Sequence, residues 1–222
     1  MDKRIKVPSL ITDIRAMEWQ FWLPVIASII LAIYTYTILG ACGSHLSLTD
    51  IKLSLGIGAI PLVAFWVIGL YQDLVEADGR EVLLSLPYNQ FQFGLLRLLR
   101  MAVLYVFVIW GLLGILLILA NLRISYQDFL FSLLQVMFFA SFSFVVILAT
   151  KNSLISYAII GVLSSAEYMT RGGITGWVYP FEWPLPKPHV AVMNIVVSLI
   201  ISIVFCLTLG QWLFNKKEYL VK

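Results

Sequence analysis

The stretch of sequence that decides the fold is MAVLYVFVIWGLLGILLILA, residues 101–120, in which 20 consecutive residues carry no charge. At a rise of about 1.5 Å per residue, a helix of this length matches the roughly 30 Å hydrocarbon layer of a bilayer. Its side chains are apolar on every helical face, whereas a helix on the surface of a soluble protein is apolar on one face only. The stretch therefore predicts a transmembrane helix.

The composition of the whole chain extends this prediction. Of 222 residues, 61% are hydrophobic and 12% are charged, which is more apolar surface than a soluble core of this size can hide. A membrane β-barrel would show segments of about ten residues that alternate between apolar and polar, and these runs are continuous instead. We therefore predict an all-α membrane protein with a single transmembrane domain over residues 1–222 and six spans. The other five are 19–39, 53–71, 129–150, 154–168 and 190–214.

The distribution of basic residues predicts the orientation. Lys and Arg concentrate on the cytoplasmic side of membrane helices. With the N-terminus inside, eleven of the 15 basic residues are cytoplasmic, and the outer four are Lys52, Arg123, Arg171 and Lys187. The chain is thus predicted to be a multi-pass protein of a bacterial inner membrane or a plasma membrane, with both termini cytoplasmic. Its net charge of +3 is then a topology signal and does not indicate nucleic-acid binding.

Residues 1–18 are predicted to form a cytoplasmic interfacial helix ahead of the first span. Apolar residues recur at helical spacing between polar ones, which is typical of a helix lying in the membrane interface. They are Leu10, Ile11, Ile14 and Met17, with Thr12, Asp13, Arg15 and Glu18 between them. The alternative is that these residues simply begin the first span.

The spans lack the residues that most membrane chemistry requires. No Asp, Glu, Lys, Arg or His lies in the middle of a predicted span, although ion-driven carriers need such groups at depth. Clustered metal ligands, a serine beside a base, and a phosphate loop of the form GxxxxGK followed by Ser or Thr are all missing from the sequence. We therefore expect no enzyme activity, no metal and no cofactor in this chain. Uncharged polar residues, among them Gln135, Ser141 and Ser143, are predicted to hydrogen-bond between helices.

Residues 73–100 form a charged segment between two predicted spans, with four acids and three arginines. A connection between spans needs only a few residues, so this segment predicts a cytoplasmic surface that docks on another protein. Gly79 breaks any helix continuing from the second span, and Pro87 ends a short amphipathic helix over 80–86. The alternative is a solvated loop whose leucines lie on the membrane.

The outer segment 169–189 is rich in Gly, Pro and aromatic residues, which excludes a regular membrane helix. We interpret it as a reentrant or gate segment that contacts amphiphiles, or alternatively as an interfacial loop anchored by aromatic rings. Glu167 ends the fifth span and is interpreted either as a solvated interface residue or as part of that outer gate. The candidate gate residues are Glu167, Trp177, Tyr179, Phe181 and Trp183.

The sequence EADGREVLLSLPYNQFQFGLLR, residues 76–97, resembles the coupling-helix region of ABC-2 type transporter permeases, which often carry an acidic-Gly-x-Glu-x-Leu-Leu-x-Leu-Pro stretch there. The interfacial helix, the six spans, the reentrant outer segment and the basic C-terminal tail agree with that fold. The resemblance implies a cytoplasmic coupling helix that contacts a separate ABC ATPase subunit. Its residues would be Glu76, Asp78, Gly79, Arg80, Glu81, Leu83, Leu84, Ser85, Leu86 and Pro87.

What the resemblance implies about function is a transmembrane permease subunit of an ABC exporter. Two permeases, identical or paralogous, would form the pathway in the lipid bilayer, and ATP and Mg would be bound by the partner ATPases. The cargo would be hydrophobic or amphiphilic, such as a peptide, an antibiotic or a lipid-like molecule. The alternative is a non-transporting membrane scaffold or receptor that recruits a cytosolic partner, and a membrane enzyme is a third possibility.

Overall fold

The computed structural model describes residues 10–39, 47–75, 91–123, 125–171, 178–186 and 192–216. Over these ranges the protein is helical except for the turn at 178–186, and it contains no β-strand. The α-helices are α1 (Leu10–Met17), α2 (Trp19–Tyr34), α3 (Leu48–Leu53), α4 (Val63–Val75), α5 (Arg97–Ala120), α6 (Tyr126–Thr150), α7 (Ser153–Thr170) and α8 (Val192–Asn215). A π-helical turn, Thr35–Leu39, extends α2, and another, Gln92–Leu96, precedes α5.

Five helical stretches in the described part of the chain are long and apolar enough to cross a membrane. They are Trp19–Thr37, Leu48–Val75, Phe93–Ala120, Tyr126–Thr150 and Val192–Asn215. They fit the predicted helical multi-pass membrane protein. The six-span count is not confirmed, because the fifth predicted span corresponds to α7, which has 18 residues but is less apolar than these five.

Two spans begin earlier than predicted, because capping residues extend them into polar sequence. At the start of α3, the backbone N–H of Asp50 donates to Ser47 Oγ, and the Asp50 carboxylate accepts from the backbone N–H of Ser47, each at 3.2 Å. Ser125 and Asp128 form the same capping box before α6. Such reciprocal pairs satisfy the unpaired N–H groups of a first helical turn. The helices therefore start at Leu48 and Tyr126, and the predicted starts at 53 and 129 are late.

The second span is irregular at its centre. A π-helical turn, Ser54–Ala59, and a 3-10 turn, Ile60–Leu62, lie between α3 and α4. Pro61 has no backbone N–H to donate to the carbonyl four residues before it, so a regular helix cannot continue there. Side chains from other helices donate hydrogen bonds to carbonyl groups of this stretch. Gln135 Nε2 donates to Gly56 O at 2.6 Å, and Tyr105 Oη donates to Ala59 O at 2.7 Å.

The rings of Tyr71, Phe144 and Phe214 show which way the helices run. Their centroids lie 4.8 to 6.4 Å apart, and each ring is near the C-terminal end of its helix, so α4, α6 and α8 are parallel. We call this the α1 end of the bundle, because α1 and the start of α5 also lie here. The opposite end carries Asp128 at the start of α6 and is called the Asp128 end.

Helix α7 runs antiparallel to α6 and returns the chain to the Asp128 end. It starts at Ser153 with Asn152 as its N-cap, directly after α6 has ended at the α1 end. Glu167, in its last turn, lies close enough to Tyr179 at the Asp128 end to act on that phenol electrostatically. At about 1.5 Å per residue, its 18 residues extend over about 27 Å.

Helix α1 is separate from α2, because Glu18 between them has a φ of 47°, a value that L residues rarely adopt. Its orientation differs from the predicted one. Ile11 was assigned to the apolar face and is 62% exposed, whereas Asp13 was assigned to the polar face and is 0% exposed. The reason is that Asp13 pairs with two cations of the bundle, Arg97 and Arg100. The predicted start of this helix, at residues 1–9, lies outside the described residues.

Candidate functional site

The predicted coupling residues Glu76, Asp78, Gly79, Arg80, Glu81, Leu83, Leu84, Ser85, Leu86 and Pro87 lie outside the described residues, as does Trp177. The structure does describe both flanks of residues 76–90 and most of the outer gate set. These two regions occupy opposite ends of the bundle.

The flanks of residues 76–90 are tied together by direct contacts. Tyr71, in the last turns of α4, is fully buried, and its Oη donates to Gly94 O at 2.6 Å. The backbone N–H of Leu95 donates to Gln211 Oε1 of α8 at 3.2 Å. Gly94 allows this approach, since a Cβ there would lie 2.7 Å from the same Gln211 oxygen. Helices α4 and α8 therefore hold the turn that leads into α5.

A buried ion cluster fixes the start of α5 to α1. Arg97 Nε donates to Asp13 Oδ1 at 2.8 Å, and Arg100 Nη2 donates to Asp13 Oδ2. Residues three apart share one helical face, which is why both guanidinium groups reach one carboxylate. The Arg97 guanidinium also lies 5.0 Å from the centroid of the Phe93 ring. One buried carboxylate thus pairs with two cations, and the cluster keeps a net charge of +1.

These contacts give residues 76–90 two anchored ends. Leu74 and Val75, which directly precede the segment, are both buried, and the turn that follows it is held by Tyr71 and Gln211. A displacement of residues 76–90 would therefore act on α4, α5 and, through Asp13, on α1.

At the Asp128 end, the described part of the outer segment is a turn that packs into the bundle. Tyr179, Phe181 and Trp183 are buried, and residues 178–186 contain no helix, in line with the prediction from their prolines. The ring of Phe181 lies 5.7 Å from that of Phe139 on α6. Pro184 packs so closely on Gly56 that a Cβ there would be 2.8 Å away.

A polar contact attaches this turn to Asp128 on α6, and an ion pair joins the same residue to the second span. Trp183 Nε1 donates to Asp128 Oδ1 at 3.2 Å, and the Lys52 ammonium forms an ion pair of 2.5 Å with the same oxygen. Sequence reasoning missed Lys52 and Asp128, because it placed both outside the spans. The spacing of Ser47 from Asp50 and of Ser125 from Asp128 is the signal that would have put them in helices.

Glu167 is fully buried, so its interpretation as a solvated interface residue is wrong. It belongs to a buried polar group with Tyr179 and Glu182, and sequence reasoning did not single out Glu182. Burial, followed by the negative charges of Glu182 and Glu167, raises the pKa of Tyr179 to about 12, and Arg171 partly opposes this shift. Two of the four described gate candidates, Glu167 and Tyr179, are thereby close to each other.

The described residues do not contain three or more His, Cys, Asp or Glu side chains grouped so that they could hold a metal ion. The sequence matches no family model and no curated protein, and the fold matches no solved structure. The resemblance to ABC-2 type permeases therefore depends on residues 76–97 and on the layout of the helices.

Proposed function

We propose that this chain is the transmembrane permease subunit of an ABC-2 type ATP-binding cassette exporter, driven by ATP that a separate subunit hydrolyses. The observation that carries the proposal is the double anchoring of residues 76–90. Tyr71 and the Asp13 cluster couple both flanks of this motif-bearing segment to three helices. A bundle without its own nucleotide site needs such a connection to receive force.

Six spans and cytoplasmic termini are part of this proposal. Helix α7 is long enough to return across most of a hydrocarbon layer of roughly 30 Å, and it joins two parallel spans, α6 and α8. Its lower hydropathy is explained by buried polar residues such as Ser156 and Glu167, which face protein. Helix α1 and the end of α8 share one end of the bundle, together with Arg97, Arg100 and Lys216. This basic end is the one we assign to the cytoplasm.

The turn at the Asp128 end is proposed as the outer gate. In one chain it fills the space between the second and fourth spans, so a substrate would leave only after the turn moves or along a surface shared with a second permease copy. Its aromatic side chains suit a hydrophobic or amphiphilic cargo. Glu167, Tyr179, Phe181 and Trp183 are the described residues of this gate.

The proposal is tested by purifying the affinity-tagged chain from its native membrane and assaying the eluate for an ABC ATPase. We expect an ATPase to co-purify with the wild-type chain and to be lost with Glu81→Arg or Leu84→Asp. Arg123→Glu, an exposed charge reversal at the Asp128 end, is the matched control and should retain it. Vesicles that show substrate flux without nucleotide would refute the proposal.

A non-transporting scaffold or receptor is the second candidate. The tight closure of the Asp128 end by the turn around Phe181 suits a protein that transmits no solute. The same purification separates the two functions, since a scaffold would retain a cytosolic partner that has no ATPase activity. In that case Glu81→Arg would release the partner while ATP turnover stayed at background.

A further inference from the structure

A groove opens on the surface of the bundle at the α1 end, beside the last two turns of α8. It has a volume of about 310 Å³ and is bounded by Phe91 and Leu95 on one side and by Leu207, Thr208 and Trp212 on the other. It is open along its length and is not an enclosed cavity. It is separate from the outer gate, which lies at the opposite end, and from the Asp13 cluster.

The polar groups in the wall of this groove are engaged within the protein. Thr208 Oγ1 donates to Phe205 O at 2.9 Å, and Gln211 Nε2 donates to Asn215 Oδ1 at 2.8 Å. Gln211 Oε1 accepts from the backbone N–H of Leu95. An occupant therefore meets mainly apolar surface, which suits a hydrocarbon chain. A peptide strand fits poorly, because its backbone groups would lose water and gain few partners.

The groove continues into an apolar stripe on α8. Ile201, Val204 and Phe205 are exposed and lie one to two turns before Thr208, on the same face of the helix. In a span this stripe faces the acyl chains of the bilayer. A lipid chain lying in the groove and along this stripe would have its headgroup just beyond the groove, at the C-terminal end of α8.

A cation, Lys216, lies at this C-terminal end of α8. The ammonium of Lys216 lies 4.1 Å from the centroid of the Trp212 ring, directly after the last turn of α8. Tryptophan and lysine at the end of a span are typical of the headgroup zone, where the lysine stem covers apolar surface and its charge meets phosphate. The carbonyl groups at the C-terminus of α8 repel an anion, so Lys216 has to supply the attraction.

We propose that this groove binds one acyl chain of an anionic phospholipid whose phosphate contacts Lys216. The site does not depend on the transport function proposed above. The proposal predicts that each chain retains one lipid and prefers phosphatidylglycerol to phosphatidylcholine, because only phosphatidylglycerol carries a net negative charge. The preference should be about fivefold for a single lysine near the headgroups.

The test is native mass spectrometry of the full chain, purified in detergent and incubated with either lipid with identical acyl chains. We expect the wild-type chain to retain one phosphatidylglycerol. Thr208→Trp, which fills the groove, should lower that retention about tenfold, and Lys216→Gln should remove the preference between the two lipids. The matched controls are Leu154→Trp, an exposed position on α7, and Lys151→Gln, a second basic position at the α1 end. Both controls should behave like the wild type.

A second measurement protects the test against a folding defect in Thr208→Trp. Phosphatidylglycerol with bromine on its acyl chain should quench tryptophan fluorescence in the wild-type chain more than in Trp212→Phe. Equal quenching in the two proteins, or equal retention of both lipids by the wild-type chain, would overturn the proposal. So would disulfide cross-linking of Thr208→Cys to a cysteine placed in residues 217–222 or in a second copy, since protein would then occupy the groove.

Discussion

Asp13 of α1 and Arg97 of α5 are separated by 84 residues of sequence, yet their side chains form a buried ion pair with 2.8 Å between Oδ1 and Nε. Arg100 shares the same carboxylate. The start of α5 therefore cannot move away from α1 without separating these charges in a place where water does not replace them. The pair joins the N-terminal helix to the residues that directly follow the proposed coupling segment.

Replacing Asp13 with Asn should destabilise the chain strongly. Arg97 is 8% exposed and would keep a buried charge without its counter-ion, which typically costs about 3–5 kcal/mol. The measurement is the midpoint of heat-induced loss of the monodisperse peak in detergent. Arg15→Gln, at an exposed position on the same helix, is the control and should shift stability by no more than about 0.5 kcal/mol. Equal shifts in the two variants would contradict the buried pair.

Gly56→Ala should displace the turn at the Asp128 end. The added Cβ would lie 2.8 Å from Pro184, and overpacking of this kind costs about 1–3 kcal/mol. We expect lower thermal stability together with greater access of a water-soluble quencher to tryptophan fluorescence, because Trp183 would lose its packing. Gly111→Ala on α5 is the control, since nothing lies within 4 Å of a Cβ there. If Gly56→Ala left both the thermal stability and the quencher access unchanged, the turn would not pack on the second span.

Tyr179 should ionise at unusually high pH. Its pKa is raised from 10.0 to about 12 by burial and by Glu182 and Glu167, so the fold favours the neutral phenol. The unfolded chain releases this proton first, and the stabilisation is therefore complete below pH 10 and is lost as the pH rises to about 12. A difference titration of tyrosinate absorbance between wild type and Tyr179→Phe should show the missing transition near pH 12. In Glu182→Gln that transition should move to lower pH. An unchanged midpoint would show that the charge of Glu182 does not act on Tyr179.

Labelling of single cysteines should place both ends of the chain on one side of the membrane. In a background without Cys42 and Cys206, Arg15→Cys and Lys216→Cys should react with an impermeant maleimide only after the cells are opened. Tyr126→Cys, at the Asp128 end, should react in intact cells. If Arg15→Cys and Lys216→Cys label from opposite sides, the chain has an odd number of spans and α7 does not cross.

The apolar runs predicted most of the helices, because a hydrocarbon layer imposes length and apolarity directly on sequence. Their ends were predicted less well, since Asp50 and Asp128 were taken as residues beyond the spans when each completes a capping box. Asp13 was misplaced for a similar reason. A periodic pattern assigns an acid to the solvent side, and only the fold shows that Arg97 and Arg100 come to meet it.

Polar residues within the spans were predicted to hydrogen-bond between helices. Whether each of them does so depends on which group of a neighbouring helix faces it. Gln135 does so through Gly56 O, whereas Ser141 and Ser143 donate to carbonyl groups of their own helix, Phe138 O and Phe139 O. Prolines predicted that the outer segment is not a helix, but its burial requires a facing surface, formed here by Gly56 and Phe139. No pattern along one chain reveals which glycine will receive a proline 128 residues later.

The interrupted second span has a mechanical consequence. An uninterrupted α-helix has one main-chain bonding pattern along its whole length, whereas around Gly56 and Pro61 the pattern changes from α to π to 3-10, and Gln135 and Tyr105 donate to its carbonyl groups from the side. We expect this stretch to bend more easily than an uninterrupted α-helix, because its main-chain bonding already departs from the α pattern. A tilt of α4 would then reach α3 only in part, with the difference taken up between Gly56 and Pro61.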